Sequence, residues 1–193
     1  MKNQSQLKSL LFALTFALAI NHGTVNAQYT LQDNDVVVTN GVIMSCSYNF
    51  AIKDIIIPDT LDGQAVIGIA SSGWNTGAFY SKGITSISFP KTIEFIGNHS
   101  FQQNPIASLD FSDFIALESF GEYAFENSSS LTNLNLTNCT ALTSIGKGAF
   151  RMGGLITVDF TGCTSLQTIG SSAFNSNSIG SLDFSDCSAL TTI

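Results

Sequence analysis

Leu131–Phe150, LTNLNLTNCTALTSIGKGAF, opens on Leu131-x-x-Leu134-x-Leu136, passes an apolar pair at Leu142-x-x-Ile145, and closes on Gly146 with Ala149-Phe150 three residues later. The arrangement recurs on both sides of this stretch. Segments beginning at Ile84, Ile106, Leu131, Leu155 and Ile179 are spaced by 22, 25, 24 and 24 residues. Their heads read Ile84-x-x-Ile87-x-Phe89, Ile106-x-x-Leu109-x-Phe111, Leu155-x-x-Val158-x-Phe160 and Ile179-x-x-Leu182-x-Phe184 around the central copy. The second pair returns as Leu117/Phe120, Leu166/Ile169 and Leu190/Ile193, and the glycine column as Gly97, Gly121, Gly146 and Gly170. Ser100-Phe101, Ala124-Phe125, Ala149-Phe150 and Ala173-Phe174 close the pattern, and a divergent copy lies upstream between Ile52 and Phe79.

A period between about 20 and 29 residues headed by L-x-x-L-x-L is the leucine-rich-repeat signature. Alternate residues of the L-x-L segment point inward and outward along a short strand. One coil cannot bury its apolar face alone, so neighbours stack into a continuous core. The glycine is read as allowing a tight or left-handed turn, and the phenylalanine behind it as filling the coil. The expected fold is a leucine-rich-repeat solenoid, β-rich with short helical turns. It has 22–25-residue coils, one parallel strand per coil and an N-terminal hairpin cap. A β-sandwich of regularly spaced strands is the competing architecture.

Leu131–Leu136 followed by Leu142–Phe150, with the Ile57-Pro58 and Phe89-Pro90 dipeptides, resembles the BspA-type leucine-rich repeats of bacterial and some protist surface proteins. The entry segment Asp54–Val66, with Asp62-Gly63, resembles the start of such an array. The resemblance runs from about Tyr29 to Ile193. It implies an exported, surface-displayed protein engaged in adhesion to host matrix proteins or other cells, with no catalysis and no shared cofactor. A repeat scaffold does not name its ligand.

At the start, Lys2 and Lys8 precede an apolar run, Leu10–Ile20, broken only by Thr15, and Val25-Asn26-Ala27 supplies small residues before a cleavage point. This reads as a secretory signal peptide over residues 1–27, hence a secreted or cell-surface protein. The alternative, a membrane anchor, would have to cross about 30 Å with eleven residues at about 1.5 Å each. Residues 28–51 read as a capping segment, in which Val36–Thr39, Asn40-Gly41 and Val42–Met44 form a hairpin. Residues 52–193 read as an array of about five and a half repeats that stops at Ile193 in mid-coil, as a fragment or a chain with further repeats would.

The 193 residues carry 7 Lys+Arg against 14 Asp+Glu, a net charge of −7 that becomes −9 if Lys2 and Lys8 are cleaved away. That balance argues against affinity for nucleic acid or anionic lipid. Charged residues are only 11%, while 25 Ser and 18 Thr build the polar surface. A 44% apolar share supports a packed core rather than disorder.

Few residues offer chemistry. His99 is the one histidine after the leader, read as a solvent-facing turn residue. Glu118, Glu122 and Glu126 occupy different positions of one coil and are read as facing water. Cys139, Cys163 and Cys187 share a column and are read as buried structural thiols, with a disulfide between neighbours left open, and Cys46 stands alone. No cysteine has zinc-ligand spacing. Four Asn-x-Ser/Thr triplets follow the leader, as Ser/Thr/Asn-rich repeats generate by chance.

The remaining candidate is a polar column between the inward strand residues: Ser88, Asp110, Asn135, Asp159 and Asp183, with Asp113 and Asp186 three residues beyond two of them. Equivalent outward residues stack about 4.8 Å apart, so this column forms an acidic stripe. Three readings stand: a site for a basic patch on a partner protein, weak Ca²⁺ binding by carboxylate oxygens, or a face kept polar against aggregation. No resident cofactor is expected. Trp74 and Tyr80 flank an insertion, where they contact glycan or protein, or pack on the cap. Two functions follow: a non-catalytic module binding protein or glycan, or a structural spacer without a ligand of its own.

Overall fold

The structure, a computed structural model, describes residues 27–193. The expected signal peptide lies outside the described residues except for Ala27. Among the described residues no helix is long and apolar enough to cross a membrane.

Each coil from Gln28 to Ile169 contributes two strands rather than the single one expected. The leading strands pair in parallel as Gln28–Thr30, Asp54–Ile56 and Ser86–Ser88, and again as Ser108–Asp110, Asn133–Asn135 and Thr157–Asp159. The trailing strands are shorter but form the longer ladder. Val42–Cys46, Gly68–Ile69, Phe95–Ile96, Ser119–Phe120, Ser144–Ile145 and Thr168–Ile169 lie side by side in parallel. Its register runs Ile43, Ile69, Ile96, Phe120, Ile145, Ile169, all buried. These apolar residues recur once per turn of the chain, so each new coil covers the open face of the last.

At the N-terminal end Val36–Thr39 runs antiparallel to Val42–Cys46 and forms the outermost strand of the second ladder. Asn40 and Gly41 both have positive φ (51° and 77°), as a two-residue hairpin turn requires. Asp62-Gly63 repeats this geometry between Thr60–Leu61 and Gln64–Ala65.

The third side of each coil holds turns, and the short helical turns expected there are absent. The helical element among the described residues is one 3₁₀ turn, Asp33–Asp35. The turn side is instead held by coil-to-coil backbone bonds: Phe101 N–H to Ala124 O (2.9 Å), Phe125 to Ala149 O (2.8 Å) and Phe150 to Ala173 O (2.9 Å). Inside it Phe79, Phe101, Phe125, Phe150 and Phe174 stack nearly parallel, with ring centroids 4.8 to 5.6 Å apart.

The glycine column has a different cause from the one its sequence suggested. Gly97, Gly121, Gly146 and Gly170 are not in the left-handed region, which is filled by His99, Tyr123, Gly148 and Ser172 two residues later. A Cβ on Gly121 would lie 2.5 Å from Asn98 N, and one on Gly146 2.6 Å from the Gly121 carbonyl carbon. The column is glycine because the coils meet there backbone to backbone.

Candidate functional site

The polar column emerges where the leading strands end. Asp110, Asn135 and Asp159 are register partners on adjacent strands. Each also folds back on its own turn: Asp110 Oδ1 accepts the Ser112 N–H (3.0 Å), Asn135 Oδ1 the Thr137 N–H (3.0 Å), Asp159 Oδ1 the Thr161 N–H (2.9 Å), and Asp183 Oδ1 the Ser185 N–H (2.8 Å). The column is therefore a run of Asx turns that ends each strand at the same level. These bonds hold the Asp110 and Asp183 carboxyls below the ordinary carboxylate range, chiefly through the backbone amide. Asp159 is lowered too, chiefly by the Thr161 side chain and then by its amide. Ser88 breaks the series because the residue two places on is Pro90, which has no N–H to give.

Asp113 and Asp186 are tied between coils. Asp113 Oδ1 accepts from Asn138 Nδ2 (2.9 Å), and Asp186 Oδ2 accepts the Gly162 N–H (3.0 Å). Asn135, Asp159, Asp183 and Asp186 line one open groove of about 440 Å³, floored by Leu134 and Val158. Asp110 shares the ladder but lies outside that groove. With one carboxylate oxygen committed to its turn, each Asp keeps the other for whatever approaches.

A second constellation was invisible as a unit in the sequence. Trp74 is 58% exposed and lies against two rings from later coils, His99 (centroids 4.7 Å) and Tyr123 (5.3 Å), rather than on the cap. His99 stacks on Tyr123 at 5.2 Å and 14°, and Lys147 Nζ sits 5.8 Å from the Tyr123 ring centre. His99 is 7% exposed and thus buried, not solvent-facing, with Nδ1 3.2 Å from Gln102 Oε1. Tyr80 points elsewhere, its hydroxyl donating to Gln103 Oε1 (3.0 Å).

A family model for the BspA type leucine-rich repeat region matches residues 74–193 in six copies, well over half of the chain. The chain belongs to the BspA-type leucine-rich repeat family. Similar solved structures include a leucine-rich repeat protein of T. pallidum, 20% identical over 78% of this chain and 82% of that one, with a TM-score of 0.39. A leucine-rich cell surface protein from Faecalibacterium prausnitzii A2-165 is 18% identical over 78% of this chain and 49% of that one, TM-score 0.46. A leucine-rich repeat protein from Bacteroides ovatus ATCC 8483 is 14% identical over 82% and 51%, TM-score 0.36. This chain spans about half the length of the latter two. No curated protein matches it.

In this BspA-type array the cysteine column is a packing feature. Cys139, Cys163 and Cys187 are buried free thiols, as Cys46 is a half-buried one. Cys139 Sγ donates to Phe111 O (3.1 Å) and Cys163 Sγ to Leu136 O (3.2 Å), each reaching back one coil. Burial pushes the Cys139 thiol up to about 11 and Cys163 to about 12, far from the thiolate range of a nucleophile. Of the three glutamates expected in water, Glu118 and Glu122 are exposed, but Glu126 is 4% exposed. It accepts from Gln102 Nε2 (2.5 Å) and pairs with Arg151 at 3.1 Å, so its buried charge is matched. These polar groups brace the turn side beneath Trp74.

Proposed function

We propose that this protein is a non-catalytic module displayed at the cell surface, which binds a partner protein through a basic patch docked on the groove of Asn135, Asp159 and Asp183. The single observation that carries the reading is the arrangement of the carboxylates. Asp159 and Asp183 stand on successive coils, each with one oxygen held by its turn, and both line the groove. Two like charges on neighbouring coils repel, and a cationic partner relieves the repulsion. Surface display is supported by family membership and by the similarity to a solved cell surface protein of this fold. Secretion through the residue 1–27 leader belongs to the same reading. On the alternative function, a spacer with no ligand, the charges serve only to keep the face polar against aggregation.

The discriminating variant is Asp159→Asn/Asp183→Asn. Asn135 already forms the same turn with an amide oxygen, so the exchange removes two charges and keeps the fold. Binding of the protein to a panel of immobilised extracellular-matrix proteins is expected to be saturable, to weaken with added salt, and to fall about tenfold in the double variant. EDTA is expected to leave it unchanged, and loss of binding with EDTA would make the free oxygens calcium ligands instead. No saturable binding by the folded protein, or equal binding by both forms, would favour the spacer.

A further inference from the structure

The turn side carries a surface that the acidic groove does not explain. Most of the turn side presents Ser, Asn and Gly, and Trp74 is the chain's one tryptophan. Large exposed apolar groups scattered singly need no function, but this ring is neither loose nor isolated. It is the outermost of three rings, Trp74, His99 and Tyr123, which step across three consecutive coils. The loop that carries it is pinned: Ser72 N–H donates to Asn98 O (3.0 Å), and Thr76 Oγ1 donates to Gly73 O (3.0 Å). Gly77 lies so close to the His99 carbonyl that a Cβ would approach it to 2.5 Å, which fixes the loop's height above the histidine. Beneath, His99 is held by Gln102, itself bonded to the Glu126–Arg151 pair. Much of the ordering cost of a flat aromatic surface is therefore met before any ligand arrives.

The surroundings choose among ligands. Lys147 already sits over the Tyr123 ring and takes that face, so an ammonium or guanidinium ligand would meet a like charge beside the platform. One ring in a polar field is too small an apolar patch for a protein core contact. Its rim is built of exposed Asn75 and Glu122 and half-buried Asn98, whose Oδ1 accepts the Glu122 N–H (2.8 Å) and whose NH₂ has no acceptor among the described residues. A flat ring with hydrogen-bonding amides and a carboxylate around it matches a pyranose. One face of that sugar is C–H bonds, which are attracted to the negative face of an aromatic ring, and its edge is hydroxyls.

We propose that Trp74, seated on His99 and Tyr123, is a stacking platform for a neutral sugar ring, and that the protein binds an oligosaccharide there, on a side separate from the acidic groove. The inference does not depend on the protein-binding reading. Because Trp74 is the only tryptophan, its emission reports on this site alone. The protein is titrated with cellotriose, maltotriose and the N-acetylglucosamine trisaccharide up to about 10 mM, following tryptophan fluorescence and, in parallel, calorimetry. A saturable change in emission with at least one sugar is expected. Trp74→Ala is expected to weaken the calorimetric signal at least about tenfold, and His99→Ala, which keeps the fluorophore but removes its seat, to weaken it less. Asp159→Asn/Asp183→Asn is expected to leave the sugar response intact. No response to any of the three sugars by the folded protein, or undiminished binding in Trp74→Ala, would overturn the proposal.

Discussion

Asp159 shows how one residue serves both the backbone and the surface. Its Oδ1 ends the strand by accepting the Thr161 N–H, and its carboxyl pKa is lowered chiefly by the Thr161 side chain and then by that amide. A carboxyl depressed in the folded state contributes stability that is present above its unfolded value, about 3.9, and lost as pH falls through the folded value. Asp159→Asn should therefore leave neutral stability nearly unchanged and flatten the acid limb of the unfolding curve below about pH 4. Asp159→Ala should lower stability at neutral pH by up to about 1 kcal/mol, since the exposed turn amide falls back on water. Chemical denaturation of both variants from pH 3 to 7 checks the pair; equal loss in Asp159→Asn and Asp159→Ala at neutral pH would mean that charge, not the turn, is what matters. The outward position of this column was legible because the L-x-L alternation assigns faces. The turn bond was not, since alternation says nothing about where a strand stops. The triplets Asp110-x-Ser112, Asn135-x-Thr137, Asp159-x-Thr161 and Asp183-x-Ser185 carried that signal, together with its failure at Ser88-x-Pro90. Trp74 was harder still, because it flanks an insertion in the divergent copy between Ile52 and Phe79 and its neighbours are set by coil spacing.

The glycine column defines how closely successive elements approach. Gly146 faces Gly121 directly, and a Cβ there would lie 2.6 Å from the Gly121 carbonyl carbon and 2.7 Å from Glu122 N. Both neighbours are backbone, so no side chain can swing away, and two coils must part or tilt. Gly146→Ala is expected to cost about 3 kcal/mol, read as a lowered denaturant midpoint. Gly63→Ala makes the contrasting control: nothing lies within 4 Å of its Cβ position, so only its positive φ of 67° opposes the change, worth about 1 kcal/mol. A Gly146→Ala effect no larger than that of Gly63→Ala would show that the coils have slack. At this scale the repeat period and the stacked core were readable once Leu131–Phe150 was set beside its copies beginning at Ile84, Ile106, Leu155 and Ile179. The second ladder was not, because a strand of two residues such as Ser144–Ile145 is too short to show alternation, and its apolar pair fits a strand or a turn equally.

Across the whole molecule the two ladders differ in continuity, and that difference sets how the solenoid opens. The trailing ladder runs unbroken from Val36–Thr39 to Thr168–Ile169. The leading ladder is cut between Ser86–Ser88 and Ser108–Asp110, within the shortest repeat spacing, where Pro90 replaces the turn-forming residue. At other steps the residue after the leading strand donates to the next coil, Ile57 N–H to Ser88 O (2.9 Å), Phe111 to Asn135 O (2.8 Å) and Leu136 to Asp159 O (2.9 Å), although Phe160, after the last leading strand, does not. Phe89 makes no such bond to Asp110, and the two halves of the leading side are joined there through Ala107 N–H to Thr85 O (3.1 Å). A stacked array opens by parting one interface while the rest stays closed, and the weakest interface sets where. Hydrogen exchange under native conditions should therefore find the Ala107 amide, whose bond to Thr85 O spans the cut, exchanging at least about tenfold faster than those of Thr132 and Ile156, which make the equivalent bonds at the intact steps. Gly97 and Gly121 should stay protected, because their amides donate to Ile69 O (2.9 Å) and Ile96 O (2.7 Å) along the continuous ladder. If Ala107, Thr132 and Ile156 exchanged together at the rate of global unfolding, the array would open as one unit and the cut would carry no mechanical consequence. If Ala107 exchanges early, the molecule flexes on its leading side between Ser88 and Asp110. The Trp74 loop is tied to Asn98 across the continuous side and keeps its place on His99 through that motion, while the groove of Asp159 and Asp183 moves as part of the second block.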